Sequence, residues 1–107
     1  MDVQNRIDTR RHARFKLDAN LKVRSRSEGL LSGYAVDISE SGLAAMLVME
    51  LAIGEVVDLD FDLPNGPVSV RAVVRERTAF RYGFQFVQPN SAARQIAQAC
   101  AALPPRD

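Results

Sequence analysis

Arg10, Arg11 and Arg14 place three guanidinium groups within five residues near the start of the chain. A guanidinium group offers paired N–H donors that match two phosphate oxygens, or the O6 and N7 acceptors of guanine, and its flat cation stacks on nucleobases. The cluster therefore suits a nucleotide ligand. The alternative interpretation is an ordinary solvated basic tail.

Asp37, Ser39 and Gly42 form a second polar cluster, at a turn predicted between the second and third strands. Alternation places Asp37 opposite the core-facing Ile38, so we expect the carboxylate and the Ser39 hydroxyl at the surface, where they can accept and donate hydrogen bonds. Gly42 would permit a positive φ or the close approach of a ligand. Taken alone, the segment is also consistent with an ordinary polar turn.

No motif of an enzyme active site is present in the sequence. The single histidine, His12, and the single cysteine, Cys100, exclude most zinc, haem and triad arrangements and an internal disulfide. Asp58, Asp60 and Asp62 alternate along one strand, and the simpler interpretation is that they form the solvent-facing side of a sheet and not a cation site. We therefore predict no catalysis, no metal and no cofactor.

Charge is unevenly distributed along the 107 residues, which are enough for one compact domain. Residues 1–26 carry eight Lys and Arg against three Asp, a net charge of +5, whereas the rest carries six basic and ten acidic residues, a net charge of −4. Such a basic arm indicates an anionic partner. The start of the chain has no apolar signal segment, and the longest apolar stretch, residues 43–53, is far shorter than the ~20 residues that cross a bilayer. We expect a cytoplasmic protein without membrane insertion.

Six short strands are predicted from apolar residues that alternate with polar ones. In the second strand, Tyr34, Val36 and Ile38 are expected on the core-facing side. Arg71, Arg75 and Arg77 of the fifth strand are expected opposite the aspartates of the fourth. The approximate bounds of the strands are 17–24, 33–38, 43–49, 57–63, 68–77 and 82–86.

Residues 92–103 are predicted to form one amphipathic helix, because Ile96, Cys100 and Leu103 recur at helical spacing. The segment Pro89-Asn90-Ser91 before it supplies a stop and a helix N-cap. Six strands followed by one helix predict a mainly all-β fold, an antiparallel barrel or sandwich with the helix over an open end or edge.

Together the two clusters, Arg-x-x-x-Arg at residues 10–14 and Asp-x-Ser-x-x-Gly at residues 37–42, resemble the PilZ domain family of bacterial cyclic di-GMP receptors. The resemblance covers essentially the whole chain and includes Phe15, the strand around residues 82–86 and the C-terminal helix. It implies a single domain with a basic ligand arm (1–15), a six-stranded antiparallel β-barrel (16–89) and a C-terminal helix (90–103).

The same resemblance implies that Arg10, Arg11 and Arg14 hold the phosphates and guanine of cyclic di-GMP. Asp37 and Ser39 would hydrogen-bond a guanine edge on the outside of the barrel, and Gly42 would shape the turn. Arg6 and Arg10 also fit Arg-x-x-x-Arg, but Phe15 and the first strand follow Arg14 as they do in the family.

The implied function is that of a receptor whose arm is mobile when free, closes over the ligand and presents a new surface to an effector protein. Two alternatives remain open. One is a PilZ-like adaptor that binds a protein partner with weak or no nucleotide binding. The other is a small barrel that binds single-stranded nucleic acid, which requires exposed stacking aromatics, whereas Tyr82, Phe84 and Phe86 are predicted to be buried. Ligand stoichiometry and oligomeric state are left open.

Overall fold

A computed structural model describes residues 13–106 of the chain. All strand pairs are antiparallel, and the strands close a barrel in the order β1-β2-β3-β6-β5-β4. The predicted six-stranded antiparallel barrel with a C-terminal helix is confirmed. Its elements are β1 (Phe15–Ser25), β2 (Gly29–Ile38), β3 (Gly42–Leu47), β4 (Val56–Leu63), β5 (Gly66–Thr78), β6 (Arg81–Phe86) and α1 (Ala93–Ala102).

The barrel core is built from alternate residues of the strands, as the hydrophobic pattern of β4, β5 and β6 predicts. Burying these side chains removes apolar surface from water and is the main stabilising term of the fold. The buried residues of these three strands are Val57, Leu59, Phe61, Leu63, Val68, Val70, Ala72, Val74, Tyr82, Phe84 and Phe86.

Of the three cross-strand ion pairs expected between β4 and β5, the structure confirms one. Arg71 lies opposite Asp58, and its Nε donates to Asp58 Oδ1 at 3.1 Å. The other two expected pairs are wrong, because Arg75 donates to Gln85 of β6 and Arg77 donates to Glu50. Both lie on the part of β5 that pairs with β6, beyond the reach of the β4 aspartates.

In β2 the prediction that Tyr34, Val36 and Ile38 face the core is confirmed only for Ile38. Tyr34 is 43% exposed and Val36 is only partly buried, whereas Ala35 and Ile38 lie in the core. The register with β3 shifts between Ala35 and Asp37, so Val36 is an extra residue in a β-bulge. One extra residue reverses which side chains face inward, and this explains how Ala35 and Ile38, three positions apart, are both buried.

Helix α1 packs Ile96 and Cys100 against the barrel core, as their spacing predicts. The prediction that the segment 89–91 supplies the N-cap residue is wrong. The N-cap is Ala92, which makes no side-chain cap bond, and Asn90 Oδ1 instead accepts the Ala92 N–H at 2.9 Å. Among the described residues, no helix has the length and apolar character needed to cross a membrane.

After the helix, the C-terminal tail (residues 103–106) runs along the start of β1. The Lys16 N–H donates to the Pro104 carbonyl at 2.8 Å, and the Arg106 N–H donates to the Arg14 carbonyl at 3.0 Å. These two hydrogen bonds place the end of the described chain beside Arg14.

Candidate functional site

Three arginines surround the carboxylate of Asp37. Arg14 Nη1 lies 2.8 Å from Oδ1, whereas Arg81 Nη2 and Arg106 Nη1 each lie 3.1 Å from Oδ2. Asp37 is 1% exposed, while the three arginine side chains are 45%, 41% and 44% exposed. The expected surface position of Asp37 is therefore wrong, because the guanidinium groups cover it. We call Arg14, Arg81 and Arg106 the arginine cluster.

Four separate parts of the chain contribute to this site. Asp37 lies near the end of β2, directly after the bulge, Arg14 precedes β1, Arg81 begins β6, and Arg106 belongs to the C-terminal tail. On β3, Ala44 is paired with Asp37 on one side and with Gly83 of β6 on the other. Arg81, two residues before Gly83 on β6, reaches across β3 to Asp37.

The electrostatics of the site favour anions. Three guanidinium groups face one carboxylate, so these four side chains together carry a net charge of +2. A buried carboxylate would be costly without such partners, since removing a charge from water carries a large desolvation penalty. Together, three guanidinium groups offer more N–H donors than one carboxylate can accept. The cluster thus neutralises Asp37 and retains donors for another anion.

Ser39 and Gly42 form the turn that follows Asp37. The Ser39 Oγ accepts the N–H groups of Ser41 and Gly42, both at 3.2 Å, and the Ser39 N–H donates to the Gly42 carbonyl at 2.8 Å. Ser39 is buried, so its expected surface position is also wrong: its hydroxyl serves the local backbone.

Gly42 is required by packing within the barrel. A Cβ at this position would overlap the carbonyl oxygen of Phe84 on β6. The glycines with positive φ in the described part of the chain are Gly29, Gly54 and Gly66, so Gly42 is not needed for that conformation. The predicted positive φ at Gly42 is therefore wrong, and the close approach seen there is that of a neighbouring strand. The close approach of a ligand stays a prediction.

Among the predicted site residues, Arg14 and Asp37 are brought into direct contact. Arg10 and Arg11 lie outside the described residues, as does most of the arm whose mobility is predicted. Arg81 and Arg106 were not predicted as site residues. Neither carries a motif, and only barrel closure and the path of the tail bring them to Asp37.

An apolar groove adjoins the arginine cluster. It has a volume of about 500 Å³, and Tyr34, Met46, Val48 and Phe80 contribute to its lining. Met46 is paired with Tyr34 on one side and with Arg81 on the other, so the groove and the cluster share one outer sheet face. Tyr34 and Phe80 are exposed aromatics, whereas the aromatic face of β6 is buried as predicted.

The barrel resembles solved structures of distant sequence. The PilZ domain of YcgR from Escherichia coli, solved with c-di-GMP, superposes with a TM-score of 0.74 at 17% identity, over 88% of this chain and 90% of that chain. For MotI/DgrA, an inhibitor of motility from Bacillus subtilis, the TM-score is 0.75 at 18% identity, over 87% of this chain and 50% of that chain. This chain therefore spans half of that protein.

The PilZ domain of CeSA from a cellulose-synthesizing bacterium superposes with a TM-score of 0.68 at 15% identity, over 83% of this chain and 95% of that chain. A comparison with curated proteins found no significant match. The family model of the PilZ domain matches residues 8–102, which include the Arg-x-x-x-Arg motif, the barrel and the helix. The chain therefore belongs to the PilZ domain family.

Proposed function

We propose that this chain is a receptor for cyclic di-GMP. The observation that carries the proposal is the 2.8 Å contact between Arg14 Nη1 and Asp37 Oδ1, which joins the two sequence motifs at one point on the barrel surface. Arginine matches the O6 and N7 acceptors of guanine and the phosphate oxygens, and a carboxylate matches the N1–H and N2–H₂ donors. Membership of the PilZ family and the c-di-GMP bound to the YcgR domain support this ligand.

Ligand binding requires an exchange of hydrogen bonds at Asp37. Its oxygens are covered by guanidinium groups, so the guanine donors reach them only when an arginine turns away. Arg14 is the residue proposed to turn, because it holds Oδ1 alone while Arg81 and Arg106 share Oδ2. Guanine N–H groups then replace the Arg14 donor, and Arg14 takes an acceptor of the ligand in return.

Ser39 and Gly42 are proposed to position Asp37 and the neighbouring strands rather than to contact the ligand. A guanine contact from the Ser39 hydroxyl would require it to leave the turn in which it already accepts two backbone N–H groups. We therefore assign Ser39 to holding Asp37 at the end of β2, with Gly42 keeping β3 close to β6.

Arg10 and Arg11 are proposed to bind the ligand phosphates as the arm, residues 1–15, closes over the site. Closure would create a composite surface that an effector protein can read. The test is limited trypsin digestion, since cleavage after Arg10, Arg11 and Arg14 should slow with saturating cyclic di-GMP. Equal cleavage rates with and without ligand would eliminate the arm as the signalling element.

Isothermal titration calorimetry tests the receptor function and reports stoichiometry together with affinity. We expect cyclic di-GMP to bind in preference to cyclic di-AMP, GTP and GMP, because adenine does not present the same order of donors and acceptors. Equal affinity for cyclic di-AMP would disprove guanine recognition. Tighter binding of single-stranded DNA would favour the nucleic-acid alternative.

A second candidate function is that of a protein-interaction adaptor with weak or no nucleotide binding. The ion pairing of Asp37 favours it, because a carboxylate that is 1% exposed is already satisfied without ligand. The groove beside the cluster supplies apolar surface for a partner. This candidate predicts no heat of binding with cyclic di-GMP at concentrations where related receptors would be saturated.

A further inference from the structure

We propose that Arg81 and Arg106 bind the anionic part of the ligand, so that the C-terminal tail forms one wall of the binding site. The identity of the ligand, a cyclic dinucleotide, rests on the proposed function. The anion site itself rests on the arginine cluster.

The first argument is the excess of positive charge. Arg14 alone can neutralise Asp37, yet Arg81 and Arg106 both approach the remaining oxygen at 3.1 Å. A carboxylate that needed only a counter-ion would be satisfied by one guanidinium group. Arg81 and Arg106 thus bring positive charge beyond what Asp37 requires, and an anionic ligand can use it.

The second argument is accessibility. Asp37 is 1% exposed, whereas Arg81 and Arg106 are 41% and 44% exposed. Each arginine side chain therefore contacts Asp37 while a large part of its surface stays in solvent. An anion that approaches from outside the barrel meets these arginine side chains before it meets the carboxylate.

The third argument is preorganisation. Arg106 is held by its backbone N–H, which donates to the Arg14 carbonyl at 3.0 Å. Arg81 is held in the sheet by pairing with Met46 of β3 and Thr78 of β5. Donors that are already positioned lose less conformational entropy when the ligand binds. These two arginines thus form a prepared anion site.

Calorimetry with cyclic di-GMP on the full chain tests the proposal. We expect Arg81→Ala and Arg106→Ala each to weaken binding about fivefold or more, a modest effect because partly exposed charges are screened. The matched control is Arg71→Ala, which removes an exposed arginine paired with Asp58 on the outer face of β4 and β5. It should change the affinity by less than about twofold.

This experiment distinguishes a failure of the proposed function from a failure of the proposal about Arg81 and Arg106. If the unmodified chain does not bind cyclic di-GMP, the proposed function is wrong. If it binds, and the Arg81 and Arg106 variants bind as tightly as the Arg71 control, the function stands and the present proposal is overturned. Circular dichroism melting of each variant establishes that the fold is retained.

A second probe, inorganic pyrophosphate, separates anion binding from a purely structural role and needs no guanine recognition. Asp37→Asn removes the negative charge, so we expect it to strengthen pyrophosphate binding while weakening cyclic di-GMP binding. Adding Arg106→Ala to Asp37→Asn should weaken pyrophosphate binding again. If Arg106 only neutralises Asp37, this second substitution will have no effect in the Asn background, and the proposal fails whatever the outcome with cyclic di-GMP.

Discussion

Arg106 Nη1 lies 3.1 Å from Asp37 Oδ2, although Arg106 follows the helix and Asp37 lies near the end of the second strand. The tail hydrogen bonds to the residues around the start of β1 make this contact possible. The arginine cluster around Asp37 and the C-terminal tail are therefore one structural unit. A change in the hydrogen bonding of Asp37 would also change the contacts of Arg106.

Asp37→Ala is expected to destabilise the protein as well as to abolish the proposed guanine contact. It removes the shared acceptor of three guanidinium groups and leaves them to repel one another. We expect a loss of about 1–3 kcal/mol in the free energy of unfolding, toward the lower end because solvent screens the arginines. Urea unfolding measures it, with Asp58→Ala as the control at an exposed pair. Equal losses for the two variants would argue against a structural role for Asp37.

Arg14→Ala is expected to affect binding more than stability. Asp37 keeps Arg81 and Arg106 in this variant, so the free energy of unfolding should fall less than in Asp37→Ala. Loss of a charge-assisted contact to cyclic di-GMP should weaken binding by about tenfold or more. Calorimetry and urea unfolding on the same sample test both statements. The control is Arg24→Ala, which removes a β1 arginine that pairs with Asp60 of β4.

Gly42→Ala should destabilise the barrel, because the added methyl group would overlap the Phe84 carbonyl oxygen, a backbone atom that cannot rotate away. Overpacking of this kind costs about 1–3 kcal/mol. Gly83→Ala is the matched control, since a Cβ there meets the Glu76 side chain at an ordinary distance of 3.4 Å. Thermal melting should show a clear decrease for the first variant and a small change for the second.

Tyr82→Phe should destabilise the protein although the ring remains. The buried hydroxyl accepts the Leu51 N–H at 3.0 Å and donates to the Met49 carbonyl at 3.1 Å. Removing it leaves buried backbone groups without a partner, which costs about 1–3 kcal/mol. Tyr34→Phe, on the exposed face of β2, is the control and should leave the urea midpoint nearly unchanged. Similar midpoints for both variants would contradict the assignment.

Cys100 should be unreactive in the folded protein. Burial, and then the charge of Glu40, raise the pKa of the Cys100 thiol to about 11. Alkylation by iodoacetamide at pH 8 should therefore require unfolding. An unfolded thiol ionises near pH 9, so the unfolded state loses its proton first, and stability should fall as pH rises from about 9 to about 11. The Cys100→Ala variant should lack this component.

The alternation of β4, β5 and β6 could be predicted from sequence because it is a local property. Successive side chains of a strand point to opposite faces, so an uninterrupted run such as Val57 to Leu63 identifies its own core side. The Arg14 and Asp37 motifs could be found for a similar reason, since spacing within each motif is a property of the sequence. The contact between them was not visible there.

The bulge at Val36 and the convergence of Arg81 and Arg106 on Asp37 were decided by tertiary structure. A single extra residue in β2 reverses the faces of the strand, and the residue types around it carry no sign of the shift. Arg81 reaches Asp37 because barrel closure places β6 beside β3, and Arg106 reaches it because the tail returns to β1. Periodicity acts over neighbouring residues, whereas these contacts depend on which distant strands pair and in which register.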